Sequence, residues 1–266
     1  MVDTGYIIYA DESGDKKYIQ RHIDIFKKEG VELKFVTLDK LNSMPTPKFA
    51  VMRAIAPAIT RELEEKGVRV FNNSLTSTIC NNKAKTYEYV GRAGVEYLPF
   101  YKSVDEALKA EFPLVAKSLD GHGGKEVFMI KNSRELEEKR FFFEKNYIFQ
   151  KTASEPGKDM RVYVLGETPV AAMLRSSKTD FRSNFCLGGS AKRVEIPPDV
   201  IKKIKDIKKI LPFDYVGIDF IFHEGKPVFN EIEDVVGSRM LYTHTDIDIV
   251  KDYVYYILKV LNMLKV

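Results

Sequence analysis

In the first eighty residues, short apolar runs alternate with amphipathic stretches that stop at glycine, and this order narrows the fold more than any other feature. Tyr6–Ala10 is a short apolar run. Residues 15–28 follow, with Ile19, Ile23 and Phe26 at helical spacing and Gly30 as the stop. Residues 33–37 and Phe49–Met52 are the next strand candidates, residues 57–66 read as a helix closed by Gly67, and residues 68–71 read as a strand. Two parallel neighbours need a crossover between them, most often a helix, so the alternation predicts βαβ units on a parallel sheet.

From residue 96 the pattern changes. Strand-like runs at 114–116, Val127–Ile130, 147–150, 161–165 and 170–174 are joined mostly by glycine-containing turns, with one helix expected near 133–140. That is α+β, with antiparallel hairpins. Glu155-Pro156-Gly157-Lys158 reads as a turn. Residues 248–264 read as a helix packed on the core through a stripe of Val254, Ile257, Leu258, Leu261 and Leu264.

A chain of 266 residues with 44% hydrophobic residues can bury one large core or two to three small ones. No apolar run approaches a membrane span and no secretory leader is evident, so no membrane partner and a cytoplasmic location are expected. Cys80 and Cys186 lie far apart and form no metal or redox spacing. A formal charge of +4 from 42 basic and 38 acidic side chains, with no long block of one sign, gives no reason to expect nucleic acid.

Two stretches carry the chemistry. In the first, Lys117 ends an apolar run and is followed by Asp120, Gly121, His122, Gly123 and Gly124. Glycines let backbone N–H groups close around phosphate oxygens, and a lysine at the strand end adds a charge while being dispensable for packing. Taken alone, the stretch also reads as a plain hairpin with an Asp-Gly turn. In the second, Asp219 interrupts an apolar strand, and Glu231 and Glu233 share one face of the returning strand. A two-residue turn at Glu224-Gly225 would pair Asp219 with Asn230 and send the glutamates to the other face. A three-residue loop through Lys226 would set Asp219 opposite Glu231, as a metal site requires. Three carboxylates this close need cations to stay ionised, which points to magnesium ions bridging to phosphates. Between the two stretches lie Asp159, Arg161, Arg175 and Arg182-Ser183-Asn184, with arginines whose planar fork suits phosphate or carboxylate.

The order of these motifs resembles the ATP-grasp superfamily, and within it the RimK-like (alpha-L-glutamate ligase type) carboxylate–amine ligases. The resemblance rests on Asn81-Asn82-Lys83, Lys117 with its glycines, Gln150-Lys151-Thr152, Asp159 with Arg161, Arg182-Ser183-Asn184, and Asp219 with Glu231 and Glu233. It implies an α/β N-terminal domain, Rossmann-like with a parallel sheet, over residues 1–82, followed by an α+β ATP-grasp domain of two subdomains. The small subdomain would hold residues 83–150 with the glycine loop, and the large one residues 151–266.

It also implies ATP held by Lys83, Lys117, Gly121, His122, Gly123, Gly124, Gln150, Lys151, Thr152, Asp159, Arg161, Arg182, Ser183 and Asn184. Asp219, Glu231 and Glu233 would hold two Mg2+ ions, with Mn2+ as the alternative, and Lys117, Arg175 and Arg182 would serve phosphoryl transfer. The implied reaction is ADP-forming: a small-molecule or peptide carboxylate becomes an acylphosphate, and an amine, such as an amino acid, displaces the phosphate. Homo-oligomers are common in the family. Lys151 stands where the family carries an acidic residue, and Glu233 where it carries asparagine. Arg53, Arg193 and Arg239 are candidates for reading a substrate carboxylate but read first as surface residues. The alternatives are an ATP-grasp small-molecule kinase and a non-catalytic ATP-binding regulatory protein.

Overall fold

The structure, a computed structural model, describes residues 4–121, 123, 126–177, 180–182 and 190–264. Strands β1 (Thr4–Tyr9), β2 (Glu32–Thr37), β3 (Phe49–Met52) and β4 (Arg69–Phe71) form a sheet in the order β2-β1-β3-β4, every pair parallel. Helices α1 (Lys16–Lys28) and α2 (Pro57–Glu65) make crossovers. Asp15 starts α1 by accepting from the backbone N–H groups of Lys17 and Tyr18, and Gly30, at φ 80°, lets the chain turn out of it.

Two helices that the apolar pattern did not predict come next, α3 (Ser74–Cys80) and α4 (Lys83–Arg92). Each is short, so its periodicity is weak. Their cap asparagines, Asn73 and Asn82, are the sequence signal for them.

A second sheet has the order β5-β8-β6-β7, from β5 (Phe100–Tyr101), β6 (Leu114–Ser118), β7 (Val127–Ile130) and β8 (Tyr147–Lys151). Short helices α5 (Val104–Ala107), α6 (Ser133–Glu138) and α7 (Arg140–Phe143) cover it, and the single helix expected over 133–140 is thus broken at Lys139.

The third sheet is antiparallel, in the order β11-β10-β9-β12-β13. It comprises β9 (Lys158–Leu165), β10 (Thr168–Ser176), β11 (Ser190–Val194), β12 (Tyr215–His223) and β13 (Lys226–Glu233). Helix α8 (Pro198–Ile210) packs Val200, Ile204 and Ile207 against Val162, Ile218 and Phe220 of this sheet. Its apolar residues recur at helical spacing, a legible signal that the reading above passed over.

The chain closes with α9 (Arg239–His244) and α10 (Ile249–Val260). The last helix is shorter than expected, because Asn262 takes a left-handed φ of 56°. Val254, Ile257 and Leu258 are buried as the stripe requires, Leu261 is only partly buried and Leu264 is exposed. They share one core with Ile7, Phe26 and Phe49 of the first sheet region and with Tyr163 and Met173 of the third. Asn72 adds a polar staple between these parts. Its Nδ2 donates to the carbonyls of Tyr215 (2.8 Å) and Asp234 (2.9 Å), and its Oδ1 accepts from the backbone N–H of Tyr215 (3.1 Å).

The β12–β13 hairpin combines the turn of one alternative with the Asp219–Glu231 pairing of the other. Its turn has two residues, Glu224 and Gly225, both at positive φ, with His223 paired to Lys226. A bulge then lets Asn230 loop out, so that Phe220 faces Phe229 while Asp219 faces Glu231. The carboxylates reach one face through the bulge and not through a longer turn.

Candidate active site

One face of the third sheet carries a row of charges whose neighbours are set by strand register. Asp159 on β9 lies opposite Arg175 on β10, and Arg161 on β9 lies opposite Asp219 on β12. Arg161 donates from Nε to Asp219 Oδ1 (2.7 Å) and from Nη2 to Asp219 Oδ2 (2.7 Å), and both of its Nη atoms also reach Glu233 (2.5 and 2.7 Å). Arg175 donates through two nitrogens to Asp159 (2.6 Å each) and from Nη2 to Asp219 Oδ2 (2.6 Å). These are paired, planar contacts between buried or half-buried groups.

Electrostatics follow from this geometry. Burial alone would raise the Asp219 carboxyl, but Arg161 and Arg175 override it and hold Asp219 at about 2. Burial raises the Glu233 carboxyl, and Asp219 and Glu231 add to the effect against Arg161. Burial works against the Arg161 guanidinium, yet Asp219 and Glu233 outweigh it and keep it protonated. Two arginines thus supply to Asp219 part of the counter-charge that the sequence reading gave to bound cations alone. Both guanidiniums, whose fork suits phosphate or carboxylate, are engaged by carboxylates in the structure.

Gly217 makes room for this arrangement, and sequence reading missed it. A Cβ there would stand 2.7 Å from Val236 Cγ2 and 3.3 Å from Arg161 Cδ. The isolated glycine in an apolar strand was the available sign of a close approach.

Asp219, Glu231 and Glu233 offer oxygen atoms that all lie within 4.8 Å of one another, Asp219 buried and the glutamates half-buried. An all-carboxylate set that is anionic and open on one side suits a hard divalent cation such as magnesium.

The second sheet faces this row across a cleft, lined among others by Lys83, Lys117, Gln150, Glu231 and Glu233. Lys117 Nζ donates to Gln150 Oε1 (2.6 Å), to the bulged Asn230 Oδ1 (2.7 Å) and to Tyr87 Oη (3.4 Å). Loss of hydration lowers its ammonium to about 8, Glu231 opposing and Lys83 assisting. A lysine bound across two sheets is a packing element as well as a charge, so the expectation that it is dispensable for packing is corrected. Lys83 opens α4 and donates to the carbonyl of Gly121 (2.6 Å), which ties it to the glycine stretch.

Gln150 is buried and Lys151 exposed, and Thr152 donates to the carbonyl of Pro113 (2.8 Å). Gly121 and Gly123 line the cleft, as do Lys151, Thr152 and Asp159. Arg182 also lines it, with its guanidinium paired to Asp180 (2.7 Å). His122, Gly124, Ser183 and Asn184 lie outside the described residues.

A cleft between two antiparallel sheets, with lysines on one wall and carboxylates on the other, belongs to the ATP-grasp fold. D-alanine–D-alanine ligase from Bacillus anthracis complexed with ATP superposes with a TM-score of 0.74 over 97% of each chain, at 18% identity. A family model described as a RimK-like ATP-grasp domain matches residues 100–257, and the chain belongs to that family. Among its relatives, beta-citrylglutamate synthase B of Homo sapiens is 33% identical over 201 residues, 67% of this chain and 52% of that protein. The chain thus spans about half the length of this human relative. A probable alpha-L-glutamate ligase of Maridesulfovibrio salexigens is 30% identical over 215 residues, 76% of this chain and 71% of that protein.

Proposed function

We propose that the chain is an ATP-dependent ligase that joins a carboxylate to an amine and forms ADP and phosphate, with L-glutamate as its amino-acid substrate. The observation that carries this reading is the meeting, across one cleft, of Lys117 and Lys83 with the oxygen cluster of Asp219, Glu231 and Glu233. Phosphoryl transfer needs positioning and charge neutralisation more than covalent help. Lys117 and Lys83 would hold phosphate oxygens in the cleft they line. The three carboxylates would hold magnesium, two ions in the fully loaded site, and the bound metal would supply charge neutralisation for the phosphates. Names borne by relatives, a glutamate ligase and a citrylglutamate synthase, support glutamate as the amine.

In the reaction, an oxygen of the substrate carboxylate bonds to the γ-phosphorus as the bond to ADP breaks. The amine nitrogen then bonds to the acyl carbon, loses a proton, and phosphate leaves. Arg161 and Arg175 would keep Asp219 ionised and in place throughout, acting as positioning residues.

The test is to supply Mg-ATP and L-glutamate with a panel of carboxylic acids and acidic peptides, and to measure ADP and phosphate. Equal ADP and phosphate that require both substrates support the ligase. ADP without free phosphate, together with a phosphorylated alcohol, would replace it with a kinase.

A further inference from the structure

Arg53 directly follows β3, and Tyr9 ends β1 beside it. In the order β2-β1-β3-β4 the chain passes from β1 to β2 on one side and then to β3 on the other, so the gap between β1 and β3 is where the winding reverses. Ligands of open parallel sheets bind at the carboxyl ends of the strands at such a point.

Arg53 has five N–H donors; Nη2 donates to the carbonyl of Val236 (2.9 Å), and the guanidinium also pairs with the Tyr9 hydroxyl. Nε is sealed from solvent with no partner among the described residues, although the side chain as a whole is only half-buried. The acidic groups nearby are occupied, Asp234 by Asn81 (3.0 Å) and Asp248 by Arg21. A sealed guanidinium nitrogen without an acceptor is costly, and the fork of which it is part matches a carboxylate.

Two further orphans surround it. Tyr18 Oη and His22 Nε2 are buried without hydrogen-bond partners among the described residues; the two rings lie 4.4 Å apart, and the Arg53 guanidinium carbon is 5.3 Å from the Tyr18 ring centre. His22 Nδ1 faces the Tyr18 carbonyl (2.8 Å), which leaves Nε2 as the bare nitrogen. Three unmet polar atoms thus belong to side chains packed against one another, and such groups call for an acceptor or donor from outside the protein.

We propose that Arg53 and Tyr18 form a subsite for a free, non-reacting carboxylate of the amino-acid substrate, adjoining the turn after Glu233. The carboxylate accepts from Arg53 Nε and from the Tyr18 hydroxyl, while Val236 keeps the guanidinium oriented. Val236 is three residues beyond Glu233, a span of at most ~10 Å of extended chain, so the subsite adjoins the turn that leaves the metal face. Tyr163 borders both regions: its hydroxyl donates to the Gly237 carbonyl (3.1 Å), and its strand neighbours Arg161. The choice of L-glutamate rests on the ligase reading above; the carboxylate subsite rests on the geometry.

The experiment measures binding without turnover. Protein saturated with Mg-ADP is titrated calorimetrically with L-glutamate and with its diamide, which has no carboxylate, using wild type, Arg53→Ala, Arg53→Lys and Tyr18→Phe. Loss of a charged hydrogen-bonded contact should weaken L-glutamate about 30-fold in Arg53→Ala and about 5-fold in Tyr18→Phe. Arg53→Lys should fall between, with Mg-ADP affinity unchanged and diamide binding insensitive to all three. L-glutamate binding that is unchanged in Arg53→Ala, or absent in wild type that binds Mg-ADP, would overturn the subsite. Failure of wild type to bind Mg-ADP would instead strike the nucleotide reading. Should Arg53→Ala not fold, unchanged L-glutamate affinity in Tyr18→Phe is sufficient to overturn the proposal.

Discussion

His22 gives the stability of this chain a pH dependence that can be worked from the structure. The ring is fully buried on α1, and burial lowers its pKa from 6.5 to about 4, with the Tyr18 carbonyl opposing and Arg53 assisting. The folded pKa lies below the unfolded one, so between these values the unfolded chain binds more protons. Stability is therefore fully present above pH 6.5 and is lost as pH falls toward 4. The whole step is worth roughly 3 kcal/mol, of which about 2 kcal/mol is lost by pH 5.

His22→Phe removes the titration and keeps an aromatic edge toward Tyr253, whose ring centre is 6.2 Å away. Urea midpoints of wild type and His22→Phe, followed by circular dichroism from pH 7.5 to 5, should diverge, with the wild type falling further by about 2 kcal/mol. Proton NMR of the His22 ring should show no titration above pH 5. A folded-state midpoint near 6.5, or parallel urea curves, would refute the reasoning.

Lys117→Met should abolish ADP formation and also lower stability by about 1–2 kcal/mol, since Gln150 and Asn230 lose their shared donor; paired turnover and urea measurements check both. Glu231→Gln should raise the magnesium concentration for half-maximal ATP binding about 10-fold while leaving the urea midpoint near wild type, and a chelator should abolish turnover in both proteins. Gly217→Ala should cost roughly 1–3 kcal/mol and lower turnover, because the new methyl group displaces Val236 and crowds Arg161; thermal unfolding and ADP release report the two effects. Asn72→Ala should destabilise by roughly 2–4 kcal/mol, leaving the buried carbonyls of Tyr215 and Asp234 unpaired, which shows as a lower urea midpoint.

Local order along the chain determined a good deal. The strands at 49–52 and 127–130, the glycine stops at 30 and 67 and the stripe of the last helix follow from periodicity and from backbone freedom, which act between near neighbours. So does the shared face of Glu231 and Glu233, because alternation along one strand sends both side chains the same way.

Tertiary structure alone decided how those groups are used. A bulge at Asn230, and not the turn length, brings Asp219 opposite Glu231, and Asn230 is held there by a lysine more than a hundred residues earlier. Arg161 and Arg175 neutralise carboxylates because β9 lies between β10 and β12, a neighbour relation no local pattern encodes. Arg53 reads as a surface charge in sequence and becomes partly buried with its Nε sealed, because the chain near Val236 returns over the end of β3. The physical reason is the same in each case. Charge and burial depend on which distant segments exclude water from a side chain, and that exclusion exists only once the sheets and their connecting turns have packed.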